Sequence, residues 1–171
     1  YVRKGLANEG YTNVILQKNR MYSLNMDCLV SSREQLEAMV REQAGPGQRQ
    51  LVTELYHGPY LEGVQGDWFV LEREYYERQF LQICRVQAGG LMEEKRYKEA
   101  VIVLSGAVAV DEYDEQLSAM LIRCYGMAGD IKNARRQFER TERLMQEEMG
   151  MEAGEGLCAA WEEAMARCGK K

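Results

Sequence analysis

Two spacings divide the hydrophobic positions of this chain. Between Val14 and Leu24 they fall in two short runs, Val14-Ile15-Leu16-Gln17 and Met21-Tyr22-Ser23-Leu24, set around the polar Lys18-Asn19-Arg20. Runs of that length on either side of a short polar turn predict a β-hairpin. Beyond Ser31 the spacing becomes helical. Ser31 or Ser32, each with Glu34 or Gln35 three residues on, caps a helix striped by Leu36, Met39 and Val40, and Gly45-Pro46-Gly47 ends it. A short helix from about Gln48 to Tyr56 turns Leu51, Val52 and Leu55 inward, and His57 to Gly63 form a loop. The longest helix starts at Asp67 or Trp68. It carries one stripe of Trp68, Leu71 and Tyr75 and a second of Tyr76, Phe80, Ile83, Cys84, Ala88 and Leu91. Gly89-Gly90 inside it costs about 2 kcal/mol of helix propensity against two alanines, so either the helix bends there or a neighbour lies against bare backbone. Stripes through Ala100 to Val108, Leu117 to Ala128, Ile131 to Met145 and Leu157 to Cys168 mark four more helices. The predicted class is mainly α, with one small β-element at the start.

Between Leu81 and Gln146 the helical pattern repeats with an offset of 34 residues. Lys98 falls on Lys132, Ala100 on Ala134, Leu104 on Phe138 and Leu91 on Tyr125. The second copy, with Leu121, Tyr125, Ala134 and Phe138, keeps the core spacing of a tetratricopeptide repeat. A small Ala lets two antiparallel helices approach, and a large side chain one turn later fills the space behind it. Two such hairpins are too few to stand alone, so the helix of Leu157, Ala160, Trp161, Ala164 and Cys168 is expected to cap the open end.

Composition narrows the class. A chain of 171 residues suffices for one domain with an appendage. No apolar run approaches the roughly 20 residues that span a bilayer, and nothing at the start resembles a signal peptide. The chain opens on Tyr1 rather than Met and is read as part of something longer. Cys28, Cys84, Cys124, Cys158 and Cys168 form no C-x-x-C pair, and there is one histidine. That points to reduced thiols in a cytoplasmic protein, with no metal site and no cofactor. Charge is uneven: residues 1–20 carry Arg3, Lys4, Lys18 and Arg20 against Glu9, a net +3, which leaves −8 of the total −5 on the remainder. A basic tip on an acidic body fits nucleic acid at one end only, although a chance cluster on a solvated end would look the same.

The order of motifs then resembles a known family. Leu55-Tyr56-His57-Gly58-Pro59-Tyr60-Leu61-Glu62-Gly63, then Trp68 and the helix of Glu72-Arg73-Glu74, resembles the opening of the bacterial transcriptional activator domain. Arg96-Tyr97-Lys98-Glu99-Ala100, Asp111 to Glu115, Gly129-Asp130, Gln137 to Arg140 and Glu147 to Glu152 continue the resemblance, which runs from about Ser31 to Trp161. Its members include activators of the antibiotic-regulatory type, in which this tetratricopeptide-like domain follows a response-regulator-type winged helix. The resemblance implies two domains here. Residues 1–30 would be the end of the winged helix, with Val2 to Leu6 the tail of its recognition helix and Ile15 to Leu24 its wing, and residues 31–171 the activator domain. Arg3, Lys4, Lys18 and Arg20 would touch DNA phosphate. Two positions depart from the family pattern: Met21 stands before Tyr22 where the wing has Gly, and Ala153-Gly154 replaces the Pro that follows the Gly-Met-Glu segment.

Candidate chemistry is thin. His57 lies in a Gly-Pro loop with no nucleophile pattern beside it, and the pairs Glu72/Glu74 and Glu147/Glu148 sit among charges rather than in apolar surroundings. No phosphate loop or Ser-His-Asp order is present, so the chain is not read as an enzyme. By repeat position the inward face of the first helices holds Gln82, Arg85, Gly89, Gln116, Ala119 and Arg123, where Arg85 and Arg123 suit an acidic peptide or a nucleotide-like ligand. Two functions stand at this point. One is the regulatory half of a transcription activator that positions a winged helix and contacts RNA polymerase or a partner subunit, homodimerisation being left open. The alternative is a stand-alone tetratricopeptide adaptor that binds a protein or peptide without DNA.

Overall fold

Asn19 and Arg20 decide where the chain first turns back on itself. In the computed structural model both hold left-handed backbone, at φ 51° and 63°. Two such residues in succession make the tight turn whose twist matches that of paired strands. The described residues are 6, 8, 10, 12–25, 29, 31–42, 52–60, 62, 63, 66 and 68–168. Strands β1 (Ile15–Lys18) and β2 (Met21–Leu24) pair antiparallel, with Ile15 opposite Leu24, Gln17 opposite Tyr22 and Lys18 opposite Met21. Asn25 N–H donates to the Val14 carbonyl at 2.8 Å and extends the ladder by one pair. The hairpin falls where the apolar spacing puts it. Its turn has two residues rather than three, because Lys18 completes β1. A glycine before Tyr22 is not needed, since the reversal is over by Met21. The expected helix tail from Tyr1 to Leu6 lies, apart from Leu6, outside the described residues.

The chain divides into two compact units, residues 1–35 and 36–171. Helix α1 (Ser32–Arg41) begins where its cap is expected, the Ser31 carbonyl accepting from Gln35 N–H at 3.0 Å, and it buries Leu36 and Met39. The expected Gly45-Pro46-Gly47 stop and the residues from Gln48 to Leu51 lie outside the described residues. One turn of 3-10 helix, Val52–Glu54, stands in place of the longer α-helix that the apolar spacing predicts. That turn is fixed by the helices beneath it. Val52 N–H donates to the buried Gln87 Oε1 at 3.0 Å, Val52 and Leu55 are buried, and Tyr56 stacks on Phe80 with ring centroids 4.1 Å apart.

Helices α2 (Val70–Glu93) and α3 (Tyr97–Val110) form the first hairpin, α4 (Glu115–Ala128) and α5 (Ile131–Glu148) the second, and α6 (Glu155–Cys168) closes the array. Among the described residues there is no strand after Ser31. The repeat register holds: Leu91, Ala100, Leu104 and Ala134 are all buried, and Tyr125 and Phe138 pack with Ala134 against α6. Gly129 (φ 78°) ends α4, its N–H bonded to Gly126 O and Asp130 N–H to Tyr125 O. Asp130 then opens α5 by accepting from Asn133 N–H at 3.2 Å. Asp114 caps α4 in the same way through Leu117 N–H.

One predicted stripe is wrong. Trp68, Leu71 and Tyr75 are 71%, 75% and 43% exposed. The core lies on the other side of α2, where Tyr76, Phe80, Ile83, Cys84, Ala88 and Leu91 are buried together with Leu36, Met39 and the 3-10 turn. Helix α2 also begins later than expected, at Val70, with buried Phe69 at its start. It runs unbroken through Gly89-Gly90, and no side chain or neighbouring backbone among the described residues comes within 4 Å of where a Gly89 Cβ would stand.

Candidate partner-binding face

Helices α2 and α4 are the first helices of the two hairpins, and α6 lies along α4. The α4–α6 contact is built from small residues. Ala119, Ile122 and Ala134 join Leu157, Ala160 and Ala164 in one buried cluster. Phe138 and Trp161 close it from outside as stacked rings 5.5 Å apart. Glu115 reaches across the α5–α6 connection to accept from Gly154 N–H.

Small interfacial side chains leave open space along α4. A groove of about 450 Å³ is walled by Glu115, Gln116, Ala119, Met120, Arg123, Gly156 and Leu157. A second, of about 210 Å³, is walled by Met92, Tyr97, Arg123, Met127, Glu163, Ala164 and Arg167. Arg123 belongs to both. Its Nε donates to Glu163 Oε2 at 2.9 Å, with its side chain 32% exposed and that of Glu163 57%. A pair this open to water gains little net energy, so a carboxylate from elsewhere competes with Glu163 on nearly equal terms.

Gln116, Ala119 and Arg123 are thus brought together along one groove. Gln82 is exposed on α2 and stands apart from both grooves, as does Arg85. Arg85 is engaged otherwise. Its guanidinium pairs with Asp114 Oδ2 while Oδ1 of the same carboxylate caps α4 at Leu117 N–H, 2.9 Å away, so the arginine ties α2 to the first turn of α4. Lys18 and Arg20 are exposed at the end of the hairpin. Arg3 and Lys4 lie outside the described residues. His57 is exposed in its loop, and no group of three potential metal ligands occurs among the described residues. The methionines of the grooves, Met92, Met120 and Met127, and the partner carboxylate Glu163 escaped sequence reasoning. Met120 and Met127 follow Gln116 and Arg123 by one helical turn each, a signal visible only once the face of α4 is known to stay open.

The burial pattern of α1 to α6 is the one that the motif order implies, and the comparison with protein families decides its meaning. The model of the bacterial transcriptional activator domain matches residues 30–164. The chain belongs to that family. No curated protein and no solved structure matches it. The match takes in α1 through Ala164 of α6, so every residue walling the two grooves except Arg167 is part of the bacterial transcriptional activator domain. The family is one of regulatory domains rather than of enzymes. Among the described residues no helix is long and apolar enough to cross a membrane.

Proposed function

We propose that this chain is the regulatory helical part of a cytoplasmic bacterial transcription activator, preceded by the end of its winged-helix DNA-binding domain in residues 1–30. In this reading the winged helix begins before Tyr1 and Lys18 and Arg20 lie on its wing, with Arg3 and Lys4 at the tail of the recognition helix. The domain from residue 31 holds that winged helix in place and offers Gln82, Arg85, Gln116 and Arg123 to RNA polymerase or a partner subunit. The observation that carries the reading is a juxtaposition: a two-stranded hairpin with an exposed cationic turn stands directly before the start of a transcriptional activator domain. A stand-alone adaptor has no use for such a hairpin.

The test uses the intact regulator with Lys18 and Arg20 both replaced by Ala. Wing-to-phosphate contacts carry affinity and little sequence information. Binding to specific and random duplex should therefore weaken about equally. The slope of log affinity against log salt should flatten by roughly one to two units, about one for each lost contact. A salt slope indifferent to both substitutions returns the chain to the adaptor reading. Tight, sequence-specific binding by residues 31–171 alone would place the DNA-reading surface on the acidic helices and overturn the proposal.

A further inference from the structure

The two grooves share one cation and lie on opposite sides of it along α4. Ala119, Arg123 and Met127 follow one another at intervals of four residues, which is about 6 Å of helix rise each. Ala119, with Met120 and Leu157, lines the groove on one side of Arg123, and Met127, with Met92 and Ala164, lines the groove on the other. The order along the face is therefore apolar, cationic, apolar, with steps of about 6 Å. An extended peptide repeats on one face every two residues, close to 6.6 Å. The two periods nearly coincide. We infer that this face takes an extended protein segment of the pattern apolar-x-acidic-x-apolar, its Asp or Glu on Arg123 and its two apolar side chains in the flanking grooves. The inference rests on the partner-binding reading of this face and specifies the kind of segment that binds there.

Charge and chemistry select this occupant. In the second groove Arg123 and Arg167 stand against Glu163, a local excess of positive charge on a body that is otherwise acidic. In the first groove the carboxylate of Glu115 already accepts from Gly154 N–H and is turned to that task. Glu163 holds Arg123 from an exposed position, so it acts as a stand-in for the incoming carboxylate and leaves when that carboxylate binds. Methionine walls accept apolar side chains of differing shape, which suits a site that reads a pattern rather than one side chain. A nucleic acid does not fit these grooves, because Glu115 and Glu163 face the place its phosphates would have to pass.

Calorimetric titration of the 171-residue chain with short capped peptides tests the inference. The probe is centred on Leu-Ser-Glu-Ser-Leu. One control carries Gln for Glu. The other, Ser-Leu-Glu-Leu-Ser, has the same composition but puts its leucines on the opposite face from the acid. The first peptide should bind, and each control should bind at least about tenfold more weakly, since a hydrogen bond to a charged group is worth roughly that factor. Arg123→Gln should erase the preference for Glu over Gln. Glu163→Gln, an exposed substitution that leaves the core untouched, should tighten binding of the Glu peptide several-fold by freeing Arg123. No detectable binding of the first peptide, equal binding of the three, or an affinity unmoved by Glu163→Gln overturns the inference. The salt-slope test of the wing can fail while these titrations succeed, and the reverse, so the two readings fall separately.

Discussion

A Cβ on Gly126 would stand 2.7 Å from the Cβ of Ala164 and 2.8 Å from its Cα. Helices α4 and α6 therefore cross with backbone against side-chain stub, and nothing larger than hydrogen fits on the α4 side. The crossing holds Glu163, the neighbour of Ala164 on α6, within reach of Arg123 on α4. The geometry of the candidate face thus begins at a glycine that takes no part in it.

Two helical glycines accordingly respond in opposite ways to the same change. Gly89→Ala meets no obstacle among the described residues. It should raise stability by about 1 kcal/mol, the propensity difference between the two residues. Gly126→Ala gains the same propensity and loses more to overpacking, which typically costs 1–3 kcal/mol. Urea unfolding midpoints should move up for the first and down for the second, and Ala164→Gly should restore part of the loss in the Gly126→Ala background. Midpoints that move together would mean that α4 and α6 do not cross here.

How far this was legible in the sequence depends on whether an interaction is local. The hairpin at β1 and β2, the Gly129-Asp130 junction and the register that sets Ala134 one repeat after Ala100 follow from residues a few positions apart, and each stands as expected. Trp68, Leu71 and Tyr75 show where that reasoning ends. Their spacing is as good a helical stripe as that of Tyr76 and Phe80, yet only the second stripe is covered. The choice falls to α1 and the 3-10 turn, which pack on the Tyr76 side. Pairing of Arg85 with Asp114 and of Arg123 with Glu163 is equally non-local, 29 and 40 residues apart. A partner-binding residue and a structural ion pair look alike until the fold says what each arginine faces.

Ala134 carries a prediction of the repeat register itself. It is fully buried and packs with Tyr125 and Phe138. Leu at this position adds volume where two helices already touch, so Ala134→Leu should cost about 1–3 kcal/mol. The thermal midpoint of the variant measures it, and an unchanged midpoint would show that the register is displaced.

Thiol chemistry should follow burial. The Cys84 and Cys124 side chains are buried in the helical core, and desolvation of the thiolate pushes each thiol up to about 12. The folded pKa lies above the ordinary thiol value, so at pH 8 the native state holds almost no thiolate at either position. Alkylation mapped by mass spectrometry at pH 8 should leave both unmodified on the timescale at which half-buried Cys158 reacts, and should reach them once urea unfolds the chain. Modification of Cys84 in the native state at the rate of Cys158 would contradict the packing around α2.

The interior of the second hairpin differs from that of the first in a coordinated way. Where the first has Cys84, Val103 and Ala107, all buried, the positions 34 residues on are Ser118, Gln137 and Thr141. The three polar groups satisfy one another: Gln137 Nε2 donates to Ser118 Oγ and to Thr141 Oγ1, each at 3.2 Å, with Ser118 and Thr141 fully buried. A network of this kind is sensitive to partial removal, because a buried polar group without a partner costs about 1–3 kcal/mol while replacing all partners by apolar groups of similar shape is nearly neutral. Gln137→Val alone should therefore lower stability by an amount in that range. The triple change Ser118→Cys, Gln137→Val, Thr141→Ala writes the first hairpin's interior into the second, and it should recover most of the loss. Urea midpoints of the single and triple variants measure the coupling. If the triple variant is no more stable than Gln137→Val, the three groups act independently, and the polar interior of this hairpin has some other cause than their mutual hydrogen bonds.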